Sequence, residues 1–387
     1  MHVAISGWFW DRPTTGSGQY TSQLIKSLDR LGADLRISLV IPEEILDRHR
    51  QDTDGREEAS LPGSCTVHPV PGSGSNLGKL RFEQLAFPRA CDRLGVDVAH
   101  VPYWAAPLCS PVPIVVTVHD LIPLLLRRYR GGMLERLYTA LVSATTQDAS
   151  RVLTDSKASR QDILTHLRLV PERVHAVPLA AADSYGPDPC PDEKRVRTRY
   201  GLPERYVLYL GGFDVRKNLA TVLGTYRWVG PALGEGCPLV IAGKLPERDT
   251  AFTPDPRRLM REEGVDEGLV HFSGFVKETD KPALYRGAVA FIFPSLYEGF
   301  GLPPLEALAC GTPVVASNTT SLPEVVGDAG VLLSPFDAEG MAGVLIQLAT
   351  DEGFHLEMSR RALDQAARFS WDRTARATLR AYHEALS

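Results

Sequence analysis

The sequence predicts an α/β protein of two doubly wound domains, each a parallel sheet covered by helices, with a cleft between them. Three observations carry that expectation. Short β-branched or apolar runs alternate with longer amphipathic ones from end to end, which is the rhythm of βαβ units. The rhythm breaks at the aperiodic stretch 178–191, PLAAADSYGPDPCP, and then starts again, as at a linker between domains. The 387 residues are enough for two domains at about 100 to 200 residues each.

In the first half, strands are expected at 3–6, 35–40, 66–69, 96–101, 114–118, 152–154 and 174–177, where apolar and β-branched residues cluster. Longer amphipathic runs predict helices at 18–31, 77–93, 134–149 and 157–167. The polar, aperiodic 50–60, with Asp52, Asp54, Glu57 and Glu58, reads as a surface excursion. Beyond the linker, strands at 207–210, 239–242, 270–272, 288–293, 313–316 and 331–333 alternate with helices at 218–228, 303–310 and 322–328. The tail 352–386 is expected to be helical around Phe369-Ser370-Trp371, and no repeat of solenoid period is present.

Composition excludes several classes. Hydrophobic residues make up 44% and charged residues 23%, so disorder and low-complexity architectures do not fit. A net charge of −5 supplies no overall basic field for nucleic acid. Cys65, Cys91, Cys109, Cys190, Cys237 and Cys310 form no C-x-x-C pair, which argues against a zinc site or disulfide framework and fits a reducing, cytoplasmic setting. No basic and apolar leader precedes the strand-like His2-Val3-Ala4-Ile5-Ser6, so no secretory signal is expected. The longest charge-free apolar stretch, 101–118, carries Pro102, Pro107, Pro111 and Pro113, which would break a spanning helix.

The densest chemistry lies at 293–313, FPSLYEGFGLPPLEALACGTP. A buried strand runs into a loop carrying Glu298, Gly299, Phe300 and Gly301, and Pro303 suits the first turn of a helix. Free amides at such a helix start favour an anion, above all a phosphate. Glu298 and Glu306 stand eight positions apart and can face one ligand only if the loop folds back over the helix start. From spacing alone, two solvated glutamates on an ordinary strand-loop-helix remain equally open. Farther upstream, Leu210-Gly211-Gly212-Phe213-Asp214-Val215-Arg216-Lys217-Asn218 sits between a strand and a helix. Two adjacent cations there oppose the helix dipole, which favours a functional reason for them. His119 follows the 114–118 strand, the end at which ligands bind in open parallel sheets, although a histidine there is otherwise often a satisfied capping residue.

The arrangement Glu-x7-Glu inside EGFGLPPLEALACGTPVVAS, followed by SLPEVVGDAG, resembles the donor-site signature of family 4 retaining glycosyltransferases with the GT-B fold. Gly16-Ser17-Gly18, VTVHDLIPL around His119, LGGFDVRKN, HFSGFV and the late FSW agree with that family along nearly the whole chain. VHDLIP and RKN are similar to its mannosyltransferase and rhamnosyltransferase branch. The resemblance implies two Rossmann-like domains: 1–180 on the acceptor side, 181–365 holding the donor, and a helix at 366–387 crossing back to the first.

It further implies hexose transfer, with mannose from GDP-mannose the best fit, from a nucleotide diphosphate sugar to a glycan or polyprenyl-linked acceptor. Glu298 would touch the donor sugar and Glu306 the ribose. The backbone of Phe300, Gly301 and Leu302 would face the diphosphate or sugar, and that of Phe275 and Val276 the nucleobase. Many relatives carry arginine where Gly212 stands, so Arg216 beside Lys217 is expected to supply the missing charge on the leaving diphosphate. His119 would lie beside the sugar through its ring or main-chain carbonyl, and Gly16 and Gly18 would bring the first domain close to phosphate and acceptor. No metal or other cofactor is expected. Asp52-Thr53-Asp54 spells D-x-D, the metal signature of the other large glycosyltransferase fold, but in an aperiodic polar setting that reads as a solvated loop. In this family a patch like Leu124-Leu125-Leu126-Arg127-Arg128-Tyr129-Arg130, with Arg136, can meet a membrane peripherally at its inner face. The alternatives are a GT-B phosphorylase and a catalytically silent nucleotide-sugar binding module. A nicotinamide dehydrogenase is disfavoured, since no strand is followed by G-x-G-x-x-G.

Overall fold

The computed structural model describes residues 1–12, 15–32, 34–52 and 63–387, with 50–52 described by backbone alone. The chain divides into two compact units, Met1–Leu179 with Ser370–Ser387, and Ala180–Phe369. In the first unit, β1 (His2–Ser6), β2 (Arg36–Pro42), β3 (Cys65–Val70), β4 (Val98–Val101), β5 (Ile114–Thr117), β6 (Arg151–Thr154) and β7 (Val174–Ala176) form a parallel sheet in the order β3-β2-β1-β4-β5-β6-β7. The second unit contains β8 (Val207–Leu210), β9 (Leu239–Ala242), β10 (Val270–Gly274), β11 (Ala290–Phe293), β12 (Val314–Ser317) and β13 (Gly330–Leu333), again parallel, in the order β10-β9-β8-β11-β12-β13. Each order reverses once, between β1 and β4 and between β8 and β11. At such a reversal the connections on either side run to opposite faces, which opens a crevice at the carboxyl ends of the strands.

Strand side chains alternate between two buried faces. In the second unit Leu208, Leu210, Val240, Phe291, Phe293 and Val314 enter one core, whereas Val207, Tyr209, Leu239, Ile241, Ile292 and Val315 enter the other. Both faces being covered explains why these strands read as continuous apolar runs. At about 25 cal/mol per Å² of apolar surface, burying each large side chain stabilises by about 2 kcal/mol, so the sheet interior is the main source of stability.

The helix Trp371–Leu386 belongs to the first unit. Ser370 caps it by accepting from Arg373 N, Tyr382 Oη bonds His100 Nδ1 at 2.7 Å, and Thr374 Oγ1 donates to the Pro178 carbonyl at 2.6 Å. The helix expected at 77–93 is broken into Asn76–Arg81, a π turn at Phe82–Ala86 and Phe87–Leu94, because one extra residue is accommodated there. The polar reading of 50–60 is corrected at its start, where the helix Glu43–Asp52 extends into it. Residues 53–60, including Thr53 and Asp54 of the D-x-D, lie outside the described residues. The linker also does structural work, since its Tyr185 is buried in the second unit's core.

Candidate active site

Two loops flank the β8/β11 crevice. After β8 the chain turns through a 3₁₀ segment, Val215–Lys217, whose start is capped when Asp214 Oδ1 accepts from Arg216 N at 3.3 Å. Asn218 then adopts a left-handed conformation, φ 56°, and its amide donates to the Pro294 and Pro335 carbonyls, tying this loop to the one after β11. Both cations are thereby aimed inward: Lys217 Nζ lies 2.7 Å and Arg216 Nη1 2.8 Å from Glu298 Oε1. Lys217 also sits 4.9 Å from the Phe293 ring centroid, a cation–π contact. Ser295 Oγ donates to the same Glu298 oxygen at 2.6 Å. Oε2 therefore carries no hydrogen bond among the described residues. Burial pushes the Glu298 pKa up, but Lys217 and Arg216 outweigh it and hold the carboxyl below its usual range, so it is an anion at neutral pH.

The loop is held from its far side. Thr320 Oγ1 accepts from Glu298 N, and Ser321 Oγ reaches the Glu298 and Phe300 carbonyls at 2.9 and 2.6 Å. Gly301 has φ 115°, which favours glycine, and a Cβ there would also press on Leu322 Cδ2 at 2.8 Å. The helix Leu302–Ala309 begins Leu302-Pro303-Pro304, and two prolines remove two amides from its first turn. Donors at this start are thus confined to the neighbourhood of Phe300, Gly301 and Leu302.

Glu306 points elsewhere. Its Oε2 accepts from Tyr285 at 2.9 Å, with buried Tyr185 and the partly exposed Lys281 and Glu278 nearby. Glu278 accepts from Tyr185 at 2.6 Å and pairs with Lys281 at 2.6 Å. Burial raises the Glu306 pKa, with Lys281 opposing and Glu278 reinforcing the shift. The two glutamates therefore sit on opposite sides of their loop, one against the β8 connection and one against the helix Lys281–Gly287. After β10, Phe275 is 59% exposed and Val276 is buried. Gly212 is exposed, and its carbonyl accepts from Tyr209 at 2.6 Å.

In the first unit, His119 lies beyond β5 with Nδ1 2.7 Å from Asp155 Oδ2, just past β6, and Nε2 3.2 Å from the Pro102 carbonyl, just past β4. Both partners are acceptors, which suits a doubly protonated ring. Burial lowers its pKa, and Asp155 more than reverses this, leaving it raised. Both ring nitrogens are thus engaged, which holds the ring in place. Gly18 is packed where a Cβ would collide with the Arg12 carbonyl, so its role is to let the 7–12 loop fold onto the helix start. Gly16, by contrast, opens on space.

Family models match both units: "Glycosyl transferase 4-like domain" over residues 15–180 and "Glycosyl transferases group 1" over 192–368. "O-antigen chain mannosyltransferase B" of Escherichia coli is 34% identical over 269 residues, covering 69% of this chain and 69% of that protein. The chain belongs to the group 1 glycosyl transferases. Another relative of this glycosyl transferase is the "Serotype-specific mannosyltransferase WbdA" of Escherichia coli, 32% identical over 97% of this chain. The chain spans about half of that longer relative, 47% of its length. Among solved structures, sucrose-phosphate synthase from Thermosynechococcus elongatus superposes with TM-score 0.73 at 20% identity over 99% of this chain and 98% of that one. Anabaena Alr3699/HepE in complex with UDP gives 0.72 at 16% identity over 98% of each. The fold is GT-B.

Within this glycosyl transferase, the structure gathers Arg216, Lys217 and Glu298 into one cluster, sets Glu306 in a second, and places Gly16, Gly18 and His119 in the other unit. Sequence reasoning missed Asp155, Ser295, Tyr285, Glu278 and Lys281, which hold these residues in place. Asp155 alone had a legible signal, an acid immediately after the 152–154 strand. Also missed was a buried pair at the β1/β4 reversal. Glu83, in the π turn, accepts from Tyr138 at 2.9 and 3.0 Å and lies 3.6 Å from Lys79, whose ammonium sits within 5.4 Å of the Phe9, Tyr103 and Tyr138 rings. Burial lifts the Glu83 pKa to about 7. The folded chain therefore binds this proton more tightly than the unfolded chain, and stability is expected to fall as pH rises from the ordinary value of 4.5 toward 7. In Glu83→Gln that contribution is absent. Urea unfolding at pH 4.5 and pH 8 should show the wild type losing on the order of 3 kcal/mol relative to the variant. Equal pH dependence in the two proteins contradicts the assignment.

Proposed function

We propose that the chain moves a hexose, mannose from GDP-mannose in the first instance, from a nucleotide diphosphate sugar to a hydroxyl of a glycan or polyprenyl-linked acceptor, retaining the anomeric configuration and using no metal ion. The observation that best supports this is the Arg216–Glu298–Lys217 cluster beside the helix start at Phe300–Leu302, where the remaining backbone donors are gathered. Charge developing on a departing diphosphate is met there by two fixed cations and a few backbone donors, usually the largest contribution to catalysis. Oε2 of Glu298 is the oxygen offered to the sugar hydroxyls. The bond between the anomeric carbon and the bridging diphosphate oxygen breaks with its electron pair going to that oxygen. The acceptor oxygen bonds the same face and gives its proton to the leaving phosphate oxygen. His119 contributes its main-chain carbonyl, and Glu306 holds the ribose.

Incubation with GDP-mannose and a manno-oligosaccharide should yield product whose anomeric configuration, read by NMR, matches the donor, with full activity in EDTA. Loss of transfer in EDTA with rescue by magnesium or manganese would show that the cations do not suffice. Phosphate-dependent turnover without nucleotide would instead favour a phosphorylase, and donor binding without transfer or hydrolysis a silent binding module.

Peripheral membrane contact is proposed for the surface that continues from Leu124–Arg130 into the helix Met133–Thr146. Met133 and Leu134 are each 75% exposed there, beside the exposed Arg127, Arg130 and Arg136. Among the described residues no helix is long and apolar enough to cross a membrane. Flotation with phosphatidylglycerol vesicles should be salt-sensitive and reduced in Arg127→Ser/Arg130→Ser/Arg136→Ser. Absence of binding at low salt removes this contact.

A further inference from the structure

A second surface of the first unit has a different shape. Along the broken helix 76–94, residues 77, 81, 85, 89 and 93 recur at every fourth position as Leu, Arg, Leu, Arg, Arg. In a straight α-helix a four-residue spacing drifts around the axis by about 40° a step. The π turn Phe82–Ala86 inserts one residue in the middle of the run and offsets that drift. All five side chains are exposed, Leu77 at 67% and Leu85 at 48%. They line a cavity of about 810 Å³ between this helix and the turn that leaves the edge strand β3. Arg81, Arg89 and Arg93 make no hydrogen bond or ion pair with any described residue, and Asp92 is the acid on the lining.

Three unpaired guanidinium groups against one carboxylate leave a net positive wall, and the guanidinium fork matches phosphate oxygens two at a time. Leucines alternating with those arginines would be wasted on a free inorganic anion, whereas a neutral sugar has no use for the charge. The volume is that of a discrete small molecule, and a concave site does not present itself to a flat bilayer as the Met133 helix does. We infer that this groove binds an amphiphile with an apolar chain and a phosphate or diphosphate head. Where the proposed transfer holds, and the inference rests on that reading only to this extent, the groove is where the lipid-phosphate end of the polyprenyl-linked acceptor sits.

Calorimetry on the full chain with geranyl diphosphate, inorganic pyrophosphate and geraniol tests the site directly. Geranyl diphosphate should bind at least tenfold more tightly than either of the others, without competing with GDP. Arg81→Ser/Arg89→Ser/Arg93→Ser should weaken it at least tenfold, and Leu77→Ser/Leu85→Ser should weaken it while leaving pyrophosphate unchanged. GDP affinity should be the same in all three proteins, which also reports that they are folded. Equal geranyl diphosphate binding by wild type and the arginine variant overturns the inference. So does a variant that loses flotation on phosphatidylglycerol vesicles in a protein that does not bind geranyl diphosphate, since the occupant is then the bilayer. If no nucleotide sugar is turned over while the geranyl diphosphate results hold, the proposed transfer fails and the groove stands.

Discussion

Glu298→Gln should lower kcat by about 100-fold or more, the scale of losing one well-placed electrostatic partner in a transition state. It should leave affinity for the bare nucleotide diphosphate intact or increase it. Position in a glycine-rich loop predicts the first effect, because the role proposed for Glu298 is to face the sugar as positive charge builds at its anomeric carbon. The second effect follows from tertiary contacts. Lys217 and Arg216 lie 2.7 and 2.8 Å from Glu298 Oε1, so this carboxylate is their counter-ion. Glutamine keeps the shape and an acceptor oxygen but removes the charge, leaving two cations facing a diphosphate with less competition. Calorimetry with GDP and steady-state kinetics with GDP-mannose separate the two effects. A Glu298→Gln protein that loses GDP affinity yet keeps kcat would reverse the assignment. Because the same charges are coupled, Lys217→Ala and Glu298→Gln should not be additive.

Glu306→Gln should do the opposite. Held on the helix Leu302–Ala309 and bonded to Tyr285 at 2.9 Å, Glu306 is assigned to the ribose, a part of the donor that does not change during reaction. Its loss weakens ground state and transition state alike, so the donor KM should rise with little change in kcat. Losing a hydrogen-bond acceptor at a buried site leaves its donor unpaired at a cost of about 1 to 3 kcal/mol, which is roughly 5- to 100-fold in affinity. Bare GDP should bind correspondingly less well, since it retains the ribose. A fall in kcat with GDP affinity untouched is the result that would move Glu306 to the sugar.

Much of this protein was legible in the chain itself. Each strand of both sheets falls where the sequence places one, most plainly in the interior strands, which are covered on both faces and carry few polar positions, and less plainly at the edges, where β3 and β10 are only partly buried and carry Thr66, His68, His271 and Ser273. The helices Glu43–Asp52, Lys281–Gly287 and Ala338–Thr350 were not legible. The first is polar, the second is short, and the third carries Gly340 and Gly343 among apolar residues, so none shows a clean one-sided pattern. Spacing alone placed Glu298 near a strand end and Glu306 on the helix that follows but left two solvated glutamates equally open; the resemblance to family 4 glycosyltransferases is what singled out both, with Arg216 and Lys217.

Only the tertiary structure decided which of them touch. Local sequence does not encode that Lys217 and Arg216, 81 and 82 positions before Glu298, are its counter-ions, that Asp155 claims the His119 ring, or that Tyr285 reaches Glu306. Those contacts come from the strand order, which puts β8 beside β11 and sets β4, β5 and β6 side by side. Strand order is chosen by packing of helices over the sheet rather than by any single segment. A run of residues determines what it can offer to a ligand. Which charges neutralise one another before the ligand arrives depends on which loops the sheet makes neighbours, because charge pairing acts through distances of a few ångströms in space and not through separation along the chain.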